Sequence, residues 1–417
     1  MERGRDGVFR KRVNALEAFG HRGSATGNEE KAAVYLAGEI AGMGLMPEIE
    51  TFRGYDSLGA RMLLHVILAA AGLAFLPFEP LAASAFALFA MSSFIVEMHT
   101  RAHLLSRILP ARVSCNVFAR VPAAGDAENY APQIILCAHM DSQRTGIMWG
   151  GMLAGSLAPL WEKLPRLVKS PIFPVLLAFS LQILLGALVR FAPGSVLVPP
   201  IGGYILFAYI AGLILLAEWG RGKFVPGAND NATGCAALFE IADRWLREPV
   251  AGVELVLLFS GCEETGCVGA GAWAQGHLDE LRRRGSACVA VDTLGAGAPR
   301  FLGGEHSLAG IPVSHSQGLA AVCARIAMEM GLEKAGPHAS PVGTDALPFI
   351  ARGVPAVTIT SFGERMRIPG YHQMSDTSDN IDYAVALKTT GFVWKVVEEI
   401  AREMRQNEER SKRLQAR

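Results

Sequence analysis

The sharpest change along the chain is from mixed polar and apolar patterning to unbroken apolar runs. Met62 to Pro77 is almost wholly apolar, Phe78-Glu79-Pro80 interrupts it, and Leu81 to Met98 is apolar again. A second pair occupies Ile172 to Ala192 and Ile201 to Trp219, separated by Pro193-Gly194 and Pro199-Pro200. The first two runs have about 16 to 18 residues, near the lower limit for crossing a bilayer, and the second two about 20, enough to span. They predict two inserted transmembrane hairpins, 62–98 and 172–219. An even number of crossings returns the chain each time to the side it left.

Outside the hairpins the periodicity is that of helices and strands in alternation. Asn14 to Gly44 reads as amphipathic helix, with Thr26 or Asn28 as a cap for the segment from Glu29 and Gly44 as its end. Residues 47–52 alternate like a strand. Ile134–Ala138, Glu254–Ser260, Cys288–Val291 and Pro355–Thr360 read as buried strands, with helical patterns at Gly234–Leu246, Gly318–Met330 and from Tyr383 toward Gln406. This alternation predicts an α/β fold with a mixed, largely parallel central sheet flanked by helices. The soluble domain is then discontinuous, assembled from 1–61, 99–171 and 220–417. The charged stretch Gln406–Arg417 is expected to stay frayed.

Composition agrees with a soluble domain joined to membrane segments: 51% of residues are hydrophobic and 19% charged, with mean hydropathy +0.28. The formal net charge is zero, which argues against nucleic acid as a partner. Arg53, Arg61, Arg101, Arg107, Arg112, Lys163, Arg166, Lys169, Arg221 and Lys223 flank the hairpins on one side, whereas the short turns offer Arg190 and little else. That bias predicts an integral membrane protein with its soluble domain facing the cytoplasm. Met1 to Arg12 lacks the apolar stretch of a cleavable signal peptide. Seven scattered cysteines without a CxxC pair read as buried thiols in a reducing compartment. His65, inside an apolar run, reads as an interface-facing imidazole.

Five polar clusters follow apolar strands, where α/β sheets place their sites. They are His139-Met140-Asp141, Gly227-Ala228-Asn229-Asp230-Asn231, Glu263-Glu264, Asp292 and Tyr371-His372. Imidazoles and carboxylates without sulfur suit zinc, manganese or cobalt rather than a cysteine-rich structural site. In His-x-Asp at a strand end the two side chains share a side, so Asp141 is expected to support His139. In adjacent Glu263-Glu264 one carboxylate can bind metal while the other takes a proton from water, as metal-assisted hydrolysis requires.

In this order, the clusters together with Gly-Thr-Asp345-Ala-Leu-Pro-Phe and Tyr371-His372-Gln-Met-Ser-Asp376-Thr resemble the M28 zinc peptidases. The resemblance spans about residues 10 to 55, 112 to 145 and 225 to 405, and leaves out the hairpins. It implies a zinc-dependent aminopeptidase acting on peptides, with two zinc ions bridged by Asp230. His139 and Asp292 would complete one site, and Glu264 and His372 the other. It further implies Glu263 as general base, Tyr371 as an oxyanion donor, Asp141 orienting His139, and Asp345 supporting the site without ligating. The sequence departs from the family at Ala346, which follows Asp345 where a histidine is frequent, and in the long insertion between Asp141 and Gly227. A single-zinc glutaminyl cyclase, a non-catalytic scaffold and a transport protein remain as alternatives, separated by metal content and by the scarcity of ionisable groups in the spans.

Overall fold

In the computed structural model, which describes residues 2–123, 131–149, 172–307 and 309–415, two helices open the chain: α1 (Glu2–Glu17) and α2 (Gly27–Gly42). The pattern predicts one helix across this stretch. The break falls where Gly20 adopts φ +76° and Gly23 bridges to Ser142, after which the Thr26 hydroxyl accepts the Glu29 N–H and starts α2. The chain continues through β1 (Glu48–Gly54), α3 (Leu58–Leu73), α4 (Pro80–Met98), β2 (Arg112–Val121) and β3 (Gln133–His139). Then come α5 (Phe173–Phe191), α6 (Val198–Arg221), α7 (Thr233–Arg247), β4 (Glu254–Ser260), α8 (Val268–Gly276), α9 (Leu278–Arg283) and β5 (Ala287–Asp292). The remainder is β6 (Ala298–His306), β7 (Pro312–Ser314), α10 (Gln317–Glu329), β8 (His338–Ser340), α11 (Ala346–Ala351), β9 (Ala356–Phe362) and α12 (Tyr383–Gln415).

One sheet in the order β1-β2-β4-β3-β5-β9-β6-β7, with β8 beside β6, organises the α/β part of the chain. The four predicted apolar strands, β4, β3, β5 and β9, are adjacent and parallel at its centre. Both their faces are covered, which is why their sequences run apolar without alternation. α1, α2, α7 and α12 pack on one face around Leu36, Trp245 and Trp394, and α8 and α11 on the other around Trp273 and Phe349. β2, which the pattern does not predict, pairs antiparallel with both β1 and β4. Its polar residues are buried and bonded: Ser114 donates to Glu29, and Asn116 donates to the Gly269 carbonyl while accepting from Gly261 N–H.

The four apolar helices form a separate bundle with its own core, including Val66, Phe94, Phe179 and Tyr209. Among the described residues α4, α5 and α6 are long and apolar enough to cross a membrane, whereas α3 has only 16 residues. α3 begins at Leu58 rather than Met62, capped by Ser57, and α6 extends to Arg221. Gln182 donates to the carbonyls of Ala69 and Ala83 at 2.9 and 3.0 Å and accepts from Tyr209 at 2.6 Å, tying the four helices together. α3 and α6 approach closely at Gly59, where a Cβ would lie 2.8 Å from the Leu216 carbonyl oxygen and from Gly220 N.

Two expectations for this region are corrected. His65 does not face an interface: it is fully buried, with its ring nitrogens on the Arg61 carbonyl (2.8 Å) and the Ser93 hydroxyl (3.0 Å). Arg61 is not a solvated flanking charge either. It is fully buried, 3.4 Å from Glu97 and in contact with the Thr265 carbonyl. A third correction concerns the C-terminal tail, which is helical to Gln415. Pairs one turn apart, Arg405–Glu409 at 3.0 Å and Lys412–Glu408 at 3.1 Å, line that last stretch of α12.

Candidate metal centre

The site is built where the parallel strands end. His139 closes β3 directly opposite Ser260 at the end of β4, and Asp292 closes β5. The chain runs from β3 to β4 on one side and returns to β5 on the other, so the strand order reverses at β3 and opens a crevice there. Glu263 and Glu264 lie in the turn after β4, Asp230 in the irregular turn that feeds α7, and His372 in the loop after β9. Five polar clusters, scattered over more than 230 residues of sequence, thus converge on one point.

Asp230 stands at that point. One of its carboxylate oxygens lies 3.2 Å from His139 Nε2 and the other 3.2 Å from His372 Nε2. Asp292 is 3.6 Å from His139 Nε2, and Glu264 is 3.3 Å from His372 Nε2. His139–Asp230–Asp292 and Asp230–Glu264–His372 are therefore two ligand groups of metal-binding dimensions sharing one carboxylate. Glu263 is 4.0 Å from His139 Nε2. Tyr371 stacks on His372 with ring centroids 3.8 Å apart.

Supporting groups fix these side chains. Asp141 lies 3.6 Å from His139 Nδ1, and its backbone carbonyl is nearer at 3.3 Å. The Asp141 carboxylate also accepts the backbone N–H of Glu263 (3.0 Å) and of Glu264 (3.1 Å), and the Ser24 hydroxyl. It therefore anchors the acidic pair as well as the histidine. Asp376 accepts the N–H groups of Asn229 and Asp230 at 2.8 and 3.1 Å. Gln143 donates to Glu264 at 2.8 Å. Gln143 and Trp149, whose ring lies edge-on to His372 at 4.4 Å, carry no motif of their own, so nothing in the sequence marks them. Asp345 accepts from Ser260 and faces Glu263 through Cys267. All seven cysteines are buried and free.

Burial acts to raise Asp230, Glu263, Glu264 and Asp292, and the neighbours then separate them. The two histidines hold Asp230 well below the carboxylate range against the effect of its burial. Burial pushes Glu263 well above that range against the pull of His139, and Glu264, Asp345 and Asp292 add to the rise. Burial lifts Glu264 to about 7 despite His372. His372 rises to about 10 because Glu264 and Asp230 outweigh its desolvation. Four carboxylates in so small a volume repel one another unless protons or cations are held among them. His372 Nε2, Glu264 Oε1 and Asp292 Oδ1 are buried with no hydrogen-bond partner among the described residues. Donor atoms gathered this closely without hydrogen-bond geometry fit cation ligands.

The crevice over these groups, about 50 Å³, is walled by Leu58, Trp149, Trp219, Val342 and Tyr371. Comparison with known proteins points the same way as the geometry. Residues 213–397 match the model of peptidase family M28. Among solved structures, the chain is similar to a zinc aminopeptidase from Bacillus subtilis at TM-score 0.53 and 14% identity, covering 95% of each chain. An aminopeptidase from Aneurinibacillus sp. strain AM-1 matches at TM-score 0.53 and 14% identity over 94% of this chain and 93% of that one. A glutaminyl cyclase from Porphyromonas gingivalis matches at the same score and identity over 94% and 98%. No curated protein matches the sequence.

Proposed function

We propose, from the match of residues 213–397 to peptidase family M28 and from the geometry of the site, that the chain is a membrane-anchored, two-zinc hydrolase removing N-terminal residues from peptides. The observation that carries this reading is Asp230, with one carboxylate oxygen directed at each histidine. His139, Asp292 and Asp230 would hold one ion, and Glu264, His372 and Asp230 a second. The donor set also admits manganese or cobalt. Bound zinc supplies a Lewis acid for the amide carbonyl and acidifies the attacking water.

The remaining steps belong to protein groups. Glu263 accepts the proton of the water as its oxygen bonds to the carbonyl carbon, then delivers that proton to the nitrogen as the C–N bond breaks. Tyr371, whose hydroxyl burial and the surrounding carboxylates keep protonated, donates to the carbonyl oxygen as charge develops there. Asp141 sets the position of Glu263 through its backbone N–H. The length and apolar character of the helices support a membrane anchor, and the Lys/Arg bias of their flanks favours a cytoplasmic-facing domain.

Hydrolysis of aminoacyl fluorogenic substrates by detergent-purified protein, with metal content measured in parallel, tests the proposal. About two zinc ions per chain with chelator-sensitive cleavage supports it; a metal-loaded protein inactive on every aminoacyl substrate sinks it. Likeness to a glutaminyl cyclase keeps a second reading, a single-zinc cyclisation of N-terminal glutamine. One zinc per chain and product lacking ammonia's nitrogen would favour it. Orientation is tested by a C-terminal reporter; activity only of an extracytoplasmic reporter overturns it.

A further inference from the structure

A second, apolar cavity of about 260 Å³ lies in the helix bundle, with Val66, Phe94, Val175 and Gly212 from α3, α4, α5 and α6 among its walls. It shares Trp149, Trp219 and Val342 with the crevice over the metal centre, so the two spaces are neighbours across a common wall. The Trp149 ring stands at that wall, 4.4 Å from the His372 ring and 5.6 Å from the Trp219 ring. On the far side Phe207 and Leu215, 71% and 36% exposed, belong both to the cavity lining and to the outer surface of α6. The wall of the crevice, beyond the proposed ligands and Glu263, is uncharged among the described residues. It provides no additional carboxylate for a substrate ammonium group.

We propose that this cavity is a subsite for a long alkyl chain, and that the preferred substrate is an N-acyl amino acid or N-acyl peptide entering from the bilayer. The proposal rests on the hydrolase reading above and names its substrate: the acyl group takes the place of an N-terminal residue. The water oxygen bonds to the acyl carbonyl carbon, the C–N bond breaks, and the proton held by Glu263 passes to the nitrogen. The products are a fatty acid and a free amine. An apolar cavity of roughly 150 Å³ accommodates benzene, so this one holds a chain on the order of ten carbons. Most of its walls come from the inserted helices, so they answer a requirement separate from hydrolysis itself. Exposed Phe207 and Leu215 leave the chain a route in from lipid.

Two measurements on full-length protein in detergent test this. The first is labelling by a diazirine-bearing palmitate, followed by mass spectrometry. With sites assigned to single residues by fragmentation, labels concentrated on the cavity-lining Trp149, Ala208 and Leu216 are expected; labels spread over the outward-facing Leu88, Leu206 and Ile214 overturn the proposal. The second is kcat/KM for N-acylglycines from two to twelve carbons, beside aminoacyl amides. Gly212→Leu fills the cavity, since its Cβ would meet Val175 at an ordinary 3.6 Å; Ala211→Leu is a second filling variant. Partition into detergent is the same for all three proteins, so the ratio of long-chain to short-chain kcat/KM isolates the cavity. That ratio is expected to fall at least about tenfold in both variants, a loss of under two methylenes at about fourfold each. Cleavage of aminoacyl amides with no chain-length preference overturns the alkyl subsite while the peptidase reading stands. A zinc-loaded protein cleaving neither series overturns both.

Discussion

Arg61, on the third helix of the chain, donates to the backbone carbonyl of Thr265, the residue following the Glu263–Glu264 pair. The same guanidinium contacts Glu97 of α4, whose carboxylate accepts from Ser106. The apolar bundle and the acidic turn of the site are thereby joined through one buried cation.

Removing that cation leaves the buried Glu97 carboxylate without the guanidinium that balances its charge. Arg61→Met is expected to cost on the order of 3–5 kcal/mol of stability. Arg61→Met/Glu97→Met recovers most of that loss, because the unpaired charge is gone, but leaves the Thr265 carbonyl without its donor. Thermal unfolding in detergent and kcat, measured on both variants, separate the effects. A double variant that regains full stability and full kcat would show that Arg61 does not position the turn.

Glu263→Gln keeps the shape of the side chain and removes its ability to take a proton. A fall in kcat of roughly 10²- to 10⁴-fold is expected, with zinc content unchanged. Loss of zinc along with activity would instead assign Glu263 to the ligand set.

Zinc uptake is expected to expel protons. The His372 proton persists to about pH 10 and that of Glu264 to about 7, and a ligand must shed its proton to bind. Apparent zinc affinity therefore rises with pH through 7 and beyond. Calorimetric titrations in two buffers of different ionisation enthalpy measure the release directly. Equal apparent enthalpies in the two buffers would contradict the arrangement described.

Far from the site, Arg120 at 2.8 and 3.0 Å and Arg284 at 3.0 Å pull Glu280 down to about 2 from an ordinary value near 4.5, against its partial burial. Because the folded pKa is depressed, the stabilisation is present above about 4.5 and is lost as pH falls toward 2. Glu280→Gln is expected to lower stability by at most about 1 kcal/mol at pH 7, since the group is partly solvated. The difference from the parent narrows as pH drops through that window. Denaturation curves at pH 7, 4 and 3 check this.

The central strands and the ends that carry His139 and Asp292 are legible in the sequence, because parallel strands covered on both faces must be continuously apolar and their polar followers stand out. Strand β2 is not, because Ser114 and Asn116 interrupt its apolar run to serve distant partners at Glu29 and Gly269. Asp141 is legible as a companion of His139 two residues away. Its hold on Glu263 and Glu264 depends on loops over 120 positions apart meeting in space. Arg61 misleads for the opposite reason: an arginine at the edge of an apolar run matches a solvated flank, and only tertiary packing reveals that it is enclosed. In the tail, high charge hides a helix whose opposite charges fall one turn apart.

The near-contact of Gly59 with Gly220 carries an evolutionary consequence. A single methyl group at Gly59 meets backbone atoms of α6, which cannot rotate away as a side chain does. Leu58, the preceding residue, walls the crevice, so levering the two helices apart displaces the rim of the reaction space. Change at Gly59 is thus costly in one step, while outward positions away from the cavity, such as Leu206 and Ile214, carry no such constraint. The lineage can retune the outer apolar surface of the bundle residue by residue, but it inherits this pivot whole.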